Sequence, residues 1–151
     1  MEKLRYLEFY DMKLKDKNLE EMVAALPSLK VFFFFNLVCC EFYNLHIGSQ
    51  SLKNFFLIPK ERRSHCLTIQ LDAPNLVRFK FTGCPSIHLS LNSTKMWRAD
   101  VELCHVVSNI DSFTALILFF EELRSAEKVN LWAYSKEVTI LNNFRFHHKN
   151  F

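Results

Sequence analysis

A spacing constrains this chain more than any single residue does. The pattern apolar-x-x-apolar-x-apolar occurs as Leu4, Leu7, Phe9, then as Leu29, Phe32, Phe34. It returns as Leu52, Phe55, Leu57 and as Leu76, Phe79, Phe81, so that the leading residues are 25, 23 and 24 positions apart. Two weaker copies follow, Met96, Ala99, Val101 and Ala126, Val129, Leu131, at spacings of 20 and 30. A second series lies between these copies: Phe42, Leu45, Ile47 and Cys66, Ile69, Leu71, again 24 apart. The period-2 ending of every copy fits a strand with one buried face. Self-similarity at this period marks a stacked repeat. One such turn cannot bury its own apolar side, whereas stacked turns bury one another's. The pattern therefore predicts an α/β solenoid, mostly β, with one strand series forming a concave sheet and the other a convex wall. A β-sandwich of scattered apolar strands is the competing architecture.

Two segments carry a helical period instead. Asp16 to Leu26 presents Leu19, Met22, Val23 and Leu26 on one face, with Asp16 able to cap the start and Pro27 ending it. Asp111 or Ser112 to Arg124 presents Phe113, Leu116, Ile117, Phe120 and Leu123 in the same manner. Both are expected on the convex side, in the first and last full turns, where the longer spacings leave room. The solenoid is expected over residues 1–141, with a polar C-terminal tail over 142–151.

Composition narrows the function classes. The 151 residues carry a net charge of +3, which does not predict nucleic-acid or membrane partners. Half are hydrophobic, which argues against disorder. Only Gly48 and Gly83 are glycine, so a Gly-rich phosphate loop is excluded. Neither the Val31–Cys40 region, broken by Asn36, nor Ala115–Phe120 is long enough to span a bilayer. The first ten residues alternate charged and apolar side chains and do not read as a signal peptide. Five cysteines, an odd number, suggest reduced thiols. An intracellular protein, cytoplasmic or nuclear, is expected.

No catalytic constellation emerges, and neither an enzyme nor a cofactor is expected. His65, Cys66, Cys84, His88, Cys104 and His105 could supply soft ligands, but their spacing lacks the paired knuckles of zinc sites. Cys39 and Cys40 with His46 lack the third group that would orient a thiol nucleophile. Lys60, Arg62, Arg63 and His65 form a small basic loop, and His147, His148 and Lys149 a basic tail. Neither is interleaved with aromatics as a nucleic-acid surface would be. A small thiol- or metal-dependent enzyme is the alternative from that class.

The run Phe32 to Phe35 is more informative. If Phe32 and Phe34 face the core, Phe33 and Phe35 face the concave surface. The same count puts Phe56 beside Phe33, then Arg78 and Lys80, and sets Tyr6 and Glu8 on the first strand. Tyr6, Glu8, Phe33, Phe35, Phe56, Arg78 and Lys80 are thus the candidate protein-contact residues, since exposed aromatics of that size mark interfaces. An aggregation-prone core strand is the other explanation of the run.

Three stretches resemble the leucine-rich-repeat region of plant F-box proteins. Leu4 to Leu29, LRYLEFYDMKLKDKNLEEMVAALPSL, is similar to the family's first repeat, although Ala25-Leu26-Pro27 stands where Cys usually precedes Pro. Leu45 to Leu57, LHIGSQSLKNFFL, resembles "L.I.S.SLK.L.I". Ile69 to Gly83, IQLDAPNLVRFKFTG, resembles "I.I.APNL..F...G". The resemblance implies a right-handed leucine-rich-repeat coil that recognises a protein substrate on its concave face for a ubiquitin ligase. Nothing in the chain matches an F-box, so binding of a cullin adaptor by this chain alone is not expected. A truncated or decayed fragment is the alternative. With only Met1, Glu2 and Lys3 before the first repeat, nothing is expected to cover the first apolar edge, and the Phe run lies one turn away. Concentration-dependent association is the expected outcome on size-exclusion chromatography; a stable monomer with a sharp thermal transition would contradict it.

Overall fold

The computed structural model describes residues 3–11, 16–37, 44–59, 68–83, 87–103, 110–133 and 145–147. The front wall holds β1 (Tyr6–Tyr10), β2 (Val31–Leu37), β4 (Asn54–Pro59), β6 (Arg78–Gly83), β8 (Arg98–Leu103) and β9 (Lys128–Ala133). These six strands pair in parallel in that order, and β10 (Arg145–His147) adds antiparallel to β9. The back wall holds β3 (Asn44–Gly48), β5 (Thr68–Asp72) and β7 (His88–Asn92), also parallel. Three turns thus have a strand in each wall. The helices α1 (Asp16–Ala24) and α2 (Ile110–Glu122) flank this smaller sheet, α1 against β3 and α2 against β7. The chain is a mostly parallel β-solenoid, and both helices sit in the back wall, where the longer spacings gave them room.

Register explains why it coils. The sequence copies stack one on another: Leu7, Phe32, Phe55, Phe79, Ala99 and Val129 form one column. Phe9, Phe34, Leu57, Phe81, Val101 and Leu131 form the next. The weaker copies at spacings of 20 and 30 therefore belong to the same stack. Between the walls these columns meet Leu45, Ile47, Ile69, Leu71 and Leu89, together with Leu19, Val23, Phe119 and Leu123 of the helical segments. Beyond the fully buried phenylalanines the front columns narrow to Ala99 and Val101, and there Phe119 of α2 comes within 5.4 Å of Phe81. Gly83, buried at the end of β6, lies against the same ring. A Cβ on Gly83 would stand 2.6 Å from Phe81 Cζ, so no larger residue fits without moving a packed aromatic.

The corner before each front strand repeats as well. Leu29, Leu52, Leu76, Met96 and Ala126 each precede their strand by two residues and are buried. Full burial of a leucine contributes about 1.5–3 kcal/mol. Immediately after them, paired amides converge on single carbonyls of the preceding turn. Lys30 and Val31 donate to the Arg5 carbonyl, Lys53 and Asn54 to that of Lys30, Val77 and Arg78 to that of Lys53, and Trp97 and Arg98 to that of Val77. Side chains satisfy other corner carbonyls: Ser51 Oγ donates to Leu29 O (2.7 Å) and Asn75 Nδ2 to Gln50 O (2.9 Å). At the β7 edge of the back sheet the Leu91 amide donates to Glu122 of α2 at 2.8 Å, which satisfies a strand group beyond which the described residues place no further strand.

The details differ from the sequence reading in four places. On α2 the residue turned fully into the core is Phe119, 2% exposed and absent from the expected stripe, whereas Ile117 of that stripe is 45% exposed, because the helix packs on β7 with its face rotated from the one the spacing favoured. Leu4, the leading residue of the first copy, is 47% exposed, because it belongs to the outermost turn of the described stack. The third back-wall strand, β7, was not anticipated, since Ser86 interrupts the pattern and this turn is only 20 residues long. Arg145–His147, within the expected polar tail, forms strand β10. Phe79 is 1% exposed and its ring lies 6.1 Å from that of Phe55. Phe79→Ala is expected to cost about 3–5 kcal/mol of unfolding free energy in a denaturant titration.

Candidate surface for protein contact

The outward face of the front sheet carries the residues between the core columns. One row across the strands reads Glu8, Phe33, Phe56, Lys80, Asp100, Asn130. The row beside it reads Tyr6, Val31, Asn54, Arg78, Arg98, Lys128. All seven residues singled out from the sequence lie on this one face. The structure brings Tyr6, Glu8, Phe33, Phe35 and Phe56 into one cluster, and sets Arg78 and Lys80 on the adjoining strand.

The cluster is a tile of stacked rings. Phe33 and Phe56 lie with centroids 4.1 Å apart and planes 4° from parallel. Phe33 and Phe35 are 5.5 Å apart at 7°, and Tyr10 and Phe35 are 5.0 Å apart at 5°. Tyr6 tilts against Phe33 at 5.5 Å. Parallel β pairing in register makes this possible, because it holds neighbouring side chains about 4.8 Å apart. Tyr10 was missed from sequence, although the alternation from Tyr6 and Glu8 points to it.

Glu8 sits inside this aromatic half with its charge satisfied. Its carboxylate accepts hydrogen bonds from the hydroxyls of Tyr6 and Tyr10, the latter at 2.9 Å. Donation to a carboxylate favours the protonated phenol, so the Tyr6 pKa is pushed up to about 12 and that of Tyr10 is also raised. The stabilisation is present below the ordinary tyrosine value of about 10 and is lost as pH rises through the folded value.

The other half of the face is largely polar, with Trp132 on β9 as its exposed aromatic beside Glu102. Arg98 Nε lies 2.8 Å from the Asp100 carboxylate, which also accepts from Asn130 Nδ2 at 2.7 Å. Arg78 lies over the Trp97 ring at 6.0 Å, the outer limit of a cation–π contact. Glu102 takes a long hydrogen bond from Thr82, 3.5 Å. A separate apolar cleft of about 360 Å³ lies by α2 and β9, lined chiefly by Ile117, Phe120, Leu123, Ala126 and Val129.

The remaining candidates are placed as follows. His46 on β3 and His88 on β7 are exposed in the back wall. All five cysteines, His65, His105, Lys60, Arg62, Arg63, His148 and Lys149 lie outside the described residues. Among the described residues no group of three or more side chains could hold a metal ion. No helix among them is long and apolar enough to cross a membrane. No protein-family model, curated protein or solved structure matches the chain.

The tyrosine–glutamate contact is open to direct measurement. In a spectrophotometric titration Tyr6 is expected to ionise near pH 12, and Glu8→Gln should bring Tyr6 and Tyr10 back toward ordinary tyrosine values. Unchanged titration in the variant would mean that the two hydroxyls do not hold this carboxylate.

Proposed function

We infer that the chain is a right-handed leucine-rich-repeat module that binds a protein on the outward face of its front sheet. Parallel crossover connections are right-handed in nearly all proteins, which supports the hand. The resemblance of Leu4–Leu29, Leu45–Leu57 and Ile69–Gly83 to plant F-box proteins supports substrate recognition for a ubiquitin ligase. The observation that carries the reading is the aromatic tile. Phe33, Phe35 and Phe56 occupy outward positions of a sheet whose core is already filled by Phe32, Phe34 and Phe55. Large apolar side chains grouped on a surface mark contact with another protein far more often than chance exposure does. Aromatic residues also dominate the binding energy of such interfaces.

Site-specific photocrosslinking tests this. A photoreactive residue at Phe56 or at Lys80 is expected to capture the same protein in cells. One at Gln70, exposed on the back wall, is expected to capture none of it. Equal capture from both walls, or none from the front, would remove the reading. Fused in frame to an F-box segment, the chain should shorten the half-life of the captured protein. An unchanged half-life would remove the ligase assignment and leave the binding.

A further inference from the structure

The border of the front sheet at which its strands begin carries one cation in every turn. These cations form a stepped ladder of two sets: Arg5, Lys30 and Lys53 stand one residue before β1, β2 and β4, and Arg78, Arg98 and Lys128 are the first residues of β6, β8 and β9, one position further along. Backbone hydrogen bonds place the first set turn upon turn and lead into the second. The Lys30 amide donates to Arg5 O at 2.8 Å, that of Lys53 to Lys30 O at 2.8 Å, and that of Arg78 to Lys53 O at 3.0 Å. Arg78, Arg98 and Lys128 are then direct partners in register. Arg5, Lys30, Lys53 and Arg78 are exposed. Arg98 is neutralised by Asp100, but among the described residues no carboxylate pairs with Arg5, Lys30, Lys53, Lys80 or Lys128. At about 4.8 Å per strand the two sets together cross about 24 Å of the border, the reach of roughly seven extended residues, with a step of one residue between Lys53 and Arg78.

Like charges held at this spacing repel one another, and an anionic ligand lying along them relieves that repulsion. The aromatic tile lies beside the ladder on β1, β2 and β4. An extended segment crossing the strands sends alternate side chains to opposite sides. One set then meets the ladder while the other reaches across the face, onto the tile at the β1 end.

The ring geometry selects the class of polyanion. Nucleobases bind aromatic platforms through free ring faces. Here the faces of Phe33 and Phe56, and of Tyr10 and Phe35, are turned against each other, 4° and 5° from parallel. Only the end faces of the stacks, on Phe56 and Tyr10, have no ring against them among the described residues; between them the tile offers ring rim, the positive edge of the quadrupole, which suits carboxylates and the faces of a partner's own aromatic side chains. Resting on the reading of this face as a protein-binding surface, we propose that its ligand is an extended acidic peptide segment. Carboxylates at alternate positions lie along the cation ladder, and bulky apolar side chains sit on the Tyr6–Phe33–Phe56 tile.

Fluorescence anisotropy on the full chain tests this with three labelled probes. These are a peptide of about eight residues with alternate Glu and two Phe toward one end, its Gln analogue, and an oligouridylate of matched length. The acidic peptide is expected to bind, to weaken as salt rises, and to bind about tenfold more tightly than the Gln analogue. Lys30→Glu with Lys53→Glu should cost at least about tenfold, whereas Lys95→Glu, exposed and off the ladder, should change nothing. If the charge-reversed variant lacks the parent's thermal transition, Lys30→Gln with Lys53→Gln replaces it. Equal binding of the Gln analogue, indifference to the ladder variants, or no binding of any probe overturns the proposal. Tighter binding of the oligouridylate overturns it in favour of nucleic acid. Capture by the photocrosslinker at Phe56 together with failure of the acidic peptide would refute the acidic segment alone; failure of both would refute protein binding at this face.

Discussion

Everything buried in this chain depends on register between neighbouring turns. A turn of about 24 residues has no interior of its own. Its front strand becomes a wall of a core only when the next turn repeats the same alternation at the same height. The corner residues Leu29, Leu52, Leu76 and Met96 hold that height, all four buried, with paired amides beside them reaching to one carbonyl of the turn before. A slip of one residue would turn every core phenylalanine outward. The column Leu7–Phe32–Phe55–Phe79 is therefore the structural centre, and the variation in turn length is absorbed in the back wall, by α1, α2 or a short strand.

The same register that orders the core also orders the surface. Because each strand is in phase with its neighbours, outward residues fall into straight rows, and like residues become neighbours. Phe33 and Phe56 stack at 4.1 Å because parallel pairing sets them side by side. Arg98, Asp100 and Asn130 form a closed polar group for the same reason. The face divides into an aromatic half on β1, β2 and β4 and a half on β6, β8 and β9 that is charged apart from Trp132. Inside the aromatic half, Glu8 avoids an uncompensated charge by holding two tyrosine hydroxyls. A protein ligand that met this face would find apolar area, hydrogen-bonding tips and cations within a few strand spacings, the mixture typical of protein recognition surfaces.

Much of this was legible in the sequence because period-2 alternation and a 24-residue repeat are both local readings. Leu29, Leu52 and Leu76 announced the stack, and the parity of Phe32–Phe35 announced which rings would be outward. The helix at Asp16 was readable from its apolar stripe and from Pro27; that near Asp111 was readable as a helix, but its buried face was not, since Phe119 rather than Ile117 enters the core. By contrast β7 was not legible, since Ser86 breaks the apolar pattern and the turn shortens to 20 residues. Its place was decided by pairing with β5, which the residues alone do not advertise.

The sequence by itself determined the repeat, the two faces of each front strand and the choice of Tyr6, Glu8, Phe33, Phe35, Phe56, Arg78 and Lys80 as surface residues. These follow from side-chain alternation, which is a property of one strand. The tertiary structure alone decided that Tyr10 completes the aromatic tile, that Glu8 is held between two hydroxyls, and that Arg5, Lys30 and Lys53 stack on one another at the corners, one position before the row of Arg78, Arg98 and Lys128. Those alignments arise between strands and at corners, where alternation no longer applies and the hydrogen-bonded spacing of adjacent turns sets which residues become neighbours.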